Sequence, residues 1–182
     1  MQAPYGYILD STPVYFDITA EKISEENGVT IVKAEKKNTP QKGTITVEKT
    51  GEIFSNVTSS GEEVLLYQPE YSVNGLSGSV FEIYADADIK TPDGTVRAKK
   101  DELFATLKTN NKGTATSKLL YLDKYRVVET VAPYGTVINP EPHTVELTYS
   151  GQNEKVTNTS TSFTNDRQKV EIDLTKILEQ DE

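Results

Sequence analysis

Cysteine is absent from the chain, so no thiolate nucleophile, thiolate metal site or disulfide can be built. Histidine is nearly absent: His143 alone would have to serve any Ser-His-Asp triad. It stands in Glu141-Pro142-His143-Thr144, at the start of an expected strand, and reads as a solvent-exposed strand residue. Asp86, Asp88 and Asp93, in Asp-Ala-Asp-Ile-Lys-Thr-Pro-Asp-Gly, faintly follow a calcium loop. In an EF-hand the third acid and the glycine come sooner, so a polar hairpin turn is expected, with no metal and no cofactor.

Asparagine and lysine recur in a fixed order. Ala3-Pro4-Tyr5-Gly6-Tyr7 returns as Ala132-Pro133-Tyr134-Gly135-Thr136. The first copy is followed by Ser11-Thr12-Pro13-Val14, a strand pair and Lys36-Lys37-Asn38-Thr39; the second by Asn139-Pro140-Glu141-Pro142, a strand pair and Phe163-Thr164-Asn165-Asp166. Each Asn leads into an alternating strand that ends in Lys: Gly43-Thr-Ile-Thr-Val-Glu-Lys49 and Val170-Glu-Ile-Asp-Leu-Thr-Lys176. The spacing from Asn38 to Asn165 is therefore one repeat. On that basis residues 1–41 are expected to be the tail of a preceding domain, 42–166 a complete domain, and 167–182 the first strand of a following one.

The elements that must position these groups are strands. Short alternating stretches rich in Val, Ile, Thr and Tyr are separated by Gly, Pro and Asn clusters, the pattern of an all-β sandwich. It predicts strands at 14–19, 28–35, 43–50, 79–85, 102–109, 113–117, 124–131, 143–150, 160–165 and 170–176. Asp101–Lys108 also admits a short helix, but Asn110-Asn111-Lys112-Gly113 is a strong turn signal and favours a hairpin.

At this point the sequence resembles a family. Gly43–Lys49 looks like the first strand of Cna B-type (SpaA-like, prealbumin-like) domains, and Gly78-Ser-Val-Phe-Glu-Ile-Tyr84 like their second. Leu103–Thr116 is similar to their central hairpin, Tyr125-Arg-Val-Val-Glu129-Thr-Val-Ala-Pro-Tyr-Gly135 to their E-box, and Phe163-Thr-Asn165 to their last strand. The resemblance implies an Ig-like, prealbumin-like β-sandwich with strand stubs of neighbouring repeats, from the pilins and adhesins of Gram-positive walls. It also implies an intramolecular isopeptide bond between Lys49 and Asn165, assisted by Glu129, and makes Asn38 and Lys176 the orphan equivalents in the flanking repeats. Two stretches depart from the family pattern. Leu119-Leu-Tyr-Leu-Asp-Lys-Tyr125 stands where Pro or Gly is usual, and the connection from Gly51 to Gly78 is long, with an apolar run Val64-Leu-Leu-Tyr67 read as an extra edge strand or a packed loop.

Such a bond is chemically reasonable. An amine attacks an amide carbon only when uncharged, whereas Lys in water holds its proton up to a pKa of about 10.4. Burial between sheets disfavours the ammonium. A protonated Glu129 carboxyl would donate a hydrogen bond to the Asn165 carbonyl and shuttle protons so that ammonia leaves, with proximity supplied by the fold. The reaction happens once per molecule, so the chain is expected to be no enzyme. A one-residue slip of the last strand would aim Asp166 inward instead, and water would leave in place of ammonia. Without the resemblance, Lys49 and Glu129 read as an ordinary cross-strand ion pair and Asn165 as a turn residue.

Composition narrows the partners. The 182 residues contain 35% hydrophobic residues, enough for a thin core between two sheets. Net charge is −9 and the basic residues form no stripe, so nucleic acid is not expected as a partner. No run approaches the roughly 18 apolar residues of a membrane span, and Met1 leads into no signal-peptide core. What the resemblance implies is an extracellular stalk or pilin-like module of a bacterial cell wall or surface whose partners are neighbouring repeats of its own chain. The alternative is an adhesin module that grips a host matrix protein, another surface protein or a glycan through the 51–78 insertion.

Overall fold

The computed structural model describes residues 2–17, 19, 24–26, 29–31, 34–62 and 65–178. Four short strands open the chain: β1 (Tyr7–Ile8), β2 (Ser24–Glu26), β3 (Val29–Ile31) and β4 (Thr39–Pro40). The first long strand, β5 (Lys42–Ser60), is followed by β6 (Leu66–Gly75), β7 (Val80–Ala85), β8 (Ile89–Lys90), β9 (Val96–Ala98) and β10 (Leu103–Lys108). The remainder are β11 (Thr114–Thr116), β12 (Leu120–Tyr121), β13 (Asp123–Val131), β14 (His143–Leu147) and β15 (Val156–Asn165).

Two sheets make an all-β sandwich. One is antiparallel in the order β10-β7-β13-β14. The other is built on the first half of β5, which has β15 beside it in parallel and also pairs antiparallel with β11 and β12. Alternation puts every second residue inward. Ile45 and Val47 of β5 and Phe163 of β15 thus meet Phe81 and Ile83 of β7, Tyr125 and Val127 of β13 and Leu147 of β14, all buried. Burying side chains of this size contributes roughly 1.5–3 kcal/mol each. Phe81 and Phe163 join the two sheets directly, ring centroids 4.9 Å apart.

The structure departs from the sequence-based expectations in several places. The chain between β10 and β11 turns at Asn110–Gly113 as expected, but it is no hairpin ladder: β10 pairs with β7 in one sheet and β11 with β5 in the other. The turn crosses between layers because Thr109 is tied to Ser79 while Ser117 is tied to Ile45. The described part of 14–19 carries no strand, with Ile18 outside the described residues, and β3 within 28–35 pairs instead with β2. Gly28, Val32 and Lys33 of that stretch lie outside the described residues. Residues 170–176 form no strand either: Val170, Ile172 and Leu174 are all more than 80% exposed, so their alternation finds no partner.

The 51–78 connection is neither packed loop nor simple edge strand. Beyond Thr50, β5 runs on for ten residues and pairs with β6 as a long two-stranded ribbon, from Thr50 against Gly75 to Ser60 against Leu66. Val64 of the apolar run lies outside the described residues.

Candidate isopeptide site

Lys49, Glu129 and Asn165 end three inward-facing series, Ile45-Val47-Lys49, Tyr125-Val127-Glu129 and Phe163-Asn165. Apolar alternation therefore carries each polar residue into the interlayer space at the same pole. All three are at least 98% buried. The parallel register sets Phe163 opposite Lys49, and the β7–β13 register sets Glu129 opposite Phe81.

The structure brings the three side chains into contact. Lys49 Nζ lies 3.2 Å from Glu129 Oε2 and donates to Asn165 Oδ1. Asn165 Nδ2 donates to Glu129 Oε1 at 3.1 Å, which closes a three-membered ring of contacts. Glu129 therefore stands beside the amide nitrogen of Asn165, and the carbonyl oxygen faces the amine, whereas the sequence reading had the carboxyl on the carbonyl. For displacement of nitrogen this places a proton carrier at the leaving group. Burial pulls the Lys49 amine below its ordinary pKa of 10.5, opposed by the charge and hydrogen bond of Glu129. The Phe81 and Phe163 rings, 6.0 and 5.8 Å from Nζ, wall the group off from water.

Several residues that the sequence reading missed hold this geometry. The Asn139 backbone N–H donates to Glu129 Oε2 at 3.0 Å, and Thr136 Oγ1 lies 3.4 Å from Asn165 Nδ2. The Lys49 backbone is fixed on both sides: its N–H donates to Gly113 O and its carbonyl accepts from Leu76 N. Gly113 has φ +77°, and a Cβ there would sit 2.2 Å from Lys49 O. Only glycine allows that approach. The turn signal at Asn110–Gly113 was legible; its contact with Lys49 was not.

The other candidates fall elsewhere. Asp166 is exposed and only its carbonyl is engaged, accepting from Val137 N, so the register aims Asn165 inward. Asn38 is half-buried near Pro4 and Arg97, and Lys176 is exposed. His143 is not a plain exposed strand residue. It is half-buried and stacked on Phe163 at 3.9 Å, with Nδ1 2.8 Å from Thr161 Oγ1, because the two strands bring their faces together there. Asp88 binds Lys99 and the Lys100 N–H, and Asp93 binds Thr91 and the Thr95 N–H, contacts that hold both carboxyls below the usual range.

A family model described as SpaA, prealbumin-like fold domain, matches residues 69–162. The chain belongs to the SpaA prealbumin-like domain family. The matched span contains Glu129 and stops short of Lys49 and Asn165. Among solved structures, the TIE protein of Bacillus anthracis is similar over 92% of this chain and 24% of its own, at 24% identity and TM-score 0.52. The minor pilin GBS52 of Streptococcus agalactiae aligns over 87% of this chain and 61% of its own, at 15% identity and TM-score 0.46. The major pilin SpaD of Corynebacterium diphtheriae aligns over 70% and 30%, at 21% identity and TM-score 0.45. The chain thus spans between a quarter and three-fifths of these proteins. No curated protein sequence matches it.

Proposed function

We propose that this chain is a load-bearing stalk or pilin-like module of a Gram-positive cell surface, locked by a self-formed Lys49–Asn165 isopeptide bond and working extracellularly in series with neighbouring repeats. The observation that carries this reading is the buried contact of Lys49, Glu129 and Asn165. In the reaction, the neutral Lys49 Nζ attacks the Asn165 Cγ, and the bond from Cγ to Nδ2 breaks. Glu129 takes a proton from the attacking nitrogen and hands one to the departing nitrogen, so one ammonia leaves and no oxidant or cofactor is needed. The chain is its own substrate and turns over once. Domain limits at 42 and 166 follow, with residues 1–41 and 167–182 belonging to the repeats on either side.

Parallel pairing of β5 and β15 supports the mechanical role. Tension applied at the termini enters at the start of β5 and leaves at the end of β15. With Nζ joined to Cγ, it passes from Lys49 straight to Asn165, and the intervening residues carry none. Intact mass tests the bond: the purified chain should weigh one ammonia less than its sequence, and a full sequence mass would refute it. Pulling by the ends tests the role. The native chain should show no unfolding step for the sandwich, whereas Lys49→Ala should release the 50–164 segment, roughly 400 Å at about 3.5 Å per residue.

One observation favours the second reading, an adhesin recognising a host protein or glycan through the 51–78 insertion. The ribbon stands clear of the sandwich, with Phe54, Leu66 and Tyr67 more than half exposed.

A further inference from the structure

The internal repeat is also a structural repeat. At Pro4–Tyr7 the Tyr7 N–H closes a turn on the Pro4 carbonyl (3.1 Å), and Gly6 at φ +82° accepts from Gln41 N (2.8 Å). At Pro133–Thr136 the Thr136 N–H closes on Pro133 (3.2 Å), and Gly135 at φ +77° accepts from Gln168 N (2.8 Å). Tyr7 bridges Pro40 as Thr136 bridges Arg167. The two ends therefore present the same backbone device.

Among the described residues, only the first copy is docked. Gly6 lies so close to Pro92 that a Cβ would come within 2.4 Å, and Tyr5 packs edge-on against Tyr149 at 4.7 Å. Gln41 is buried, its amide donating to Gly151 O and Glu154 O and accepting from Ser150 N. These contacts fix the preceding segment on the base of the sandwich. At the opposite pole Tyr134 is fully exposed, Gln168 is exposed, and none of the described residues stands within 4 Å of where a Gly135 Cβ would be.

The ribbon rises from that undocked pole. In β6, Tyr67, Pro69, Tyr71 and Val73 share one face, opposite Gln68, Glu70, Ser72 and Asn74, and Phe54 pairs with Tyr71 on the apolar side. Arg167 lies on this apolar face, its guanidinium 3.8 Å over the Tyr71 ring and its Nε 3.3 Å from Glu52. Arg167, two residues past Asn165, thus seats on the apolar face of the ribbon.

We propose that the pole around Tyr134, Gly135 and Arg167, together with the apolar face of the ribbon, is the docking surface for the base of a following sandwich of the same fold. The following module seats its Pro92- and Tyr149-type residues on the Tyr134-Gly135 turn, as this module does on Tyr5-Gly6, and the ribbon lies along its flank as a buttress. A glutamine in the position of Gln168 is then buried as Gln41 is. Consecutive modules meet at one fixed angle, and the apolar stripe is covered. This rests on the reading of the chain as modules in series.

The test is a tandem chain: residues 1–167 continued directly by a second copy of 41–178, so that Gln41 takes the place of Gln168. Because cysteine is absent, Lys108→Cys in the first copy and Lys155→Cys in the second carry spin labels without background. Pulsed electron spin resonance should return one narrow inter-module distance, and it should broaden with Tyr134→Ala in the first copy and with Tyr71→Ser there. A broad distribution in the unaltered tandem overturns the proposal, as would a first-copy ribbon that binds a host protein equally well with the second copy present. A narrow distance indifferent to Tyr71→Ser overturns the buttress. Intact mass of the same tandem separates this from the cross-link: two ammonias lost with a broad distance refutes the junction alone, and a full sequence mass with a narrow distance refutes the cross-link alone.

Discussion

Glu129→Ala separates the two contributions of the site to stability. Joining Lys49 to Asn165 closes a loop of 116 residues, which by analogy with disulfide closure contributes about 5 kcal/mol. The substitution also leaves Lys49 buried without its carboxylate, and orphaning one member of a buried pair costs about 3–5 kcal/mol. Burial already pulls the Lys49 amine toward its neutral form, so the lower end of that range applies. The loss is then about 8 kcal/mol against a total of roughly 5–15 kcal/mol for a typical domain. For a sandwich of this size that is a fall of roughly 20–30 °C in melting temperature. Lys49→Met loses the loop term and leaves Glu129 without its cation, but the Asn139 N–H and Asn165 Nδ2 still donate to that carboxyl, so the orphaning cost is smaller and the total loss falls below that of Glu129→Ala. Thermal melts and intact masses on the three proteins should give the order native, Lys49→Met, Glu129→Ala, with the ammonia missing from the first alone. Glu129→Ala that still sheds ammonia, or that melts within a few degrees of the native protein, would refute this account of the site.

Asn165→Ala keeps the amine free beside Glu129. With the folded pKa of Lys49 depressed below 10.5, the unfolded chain binds the extra proton in the window beneath that value. Unfolding free energy should therefore rise with pH through that window, and denaturant titrations giving a flat or falling profile would contradict it. Gly113→Ala forces a Cβ to within 2.2 Å of Lys49 O at positive φ, so it should cost about 1–3 kcal/mol and slow the loss of ammonia in a mass time course. Gln41→Ala removes the bonds to Gly151, Glu154 and Ser150, and hydrogen exchange should then accelerate at Tyr7 and Leu9 while β13 keeps its protection. Asn38→Ala and Lys176→Ala should each still weigh one ammonia less than their own sequence mass, since neither side chain enters the buried cluster.

Lys49, Glu129 and Asn165 were singled out by the family resemblance and not by local pattern, which alone reads them as an ion pair and a turn residue; what turns them inward in the structure is that each closes an alternating apolar series. The repeat legible at Ala3-Pro4-Tyr5-Gly6 likewise reappears as a turn with the same hydrogen bonds. The ribbon was hidden by glycine. Gly51 reads as a strand end, yet β5 passes through it because a Cβ there would meet Leu76 Cδ1 at 2.7 Å and Asn165 O at 2.8 Å. The glycine marks close approach, not termination. The stretches 14–19 and 170–176 erred in the other direction: alternation states a demand for a pairing edge, and it cannot supply the edge. His143 took its character from Phe163, a neighbour twenty residues away in sequence that no local pattern reveals.

The first long strand finds its parallel neighbour 114 residues later, at the very end of the sandwich. A chain that emerges with its N-terminus first displays β5 with one flank vacant until β15 has been delivered. Long-range pairing of this kind is slow to form and leaves an edge open to wrong partners in the meantime. The ribbon with β6 and the pairing to β11 can form early, so β15 is the only member of that layer that must arrive last. Asn165 is the final residue of β15. A Lys49–Asn165 bond of the kind proposed could therefore close only once β15 had been delivered, and its formation would mark the moment at which a module became whole; a module halted before that point would stay unlocked and open to digestion.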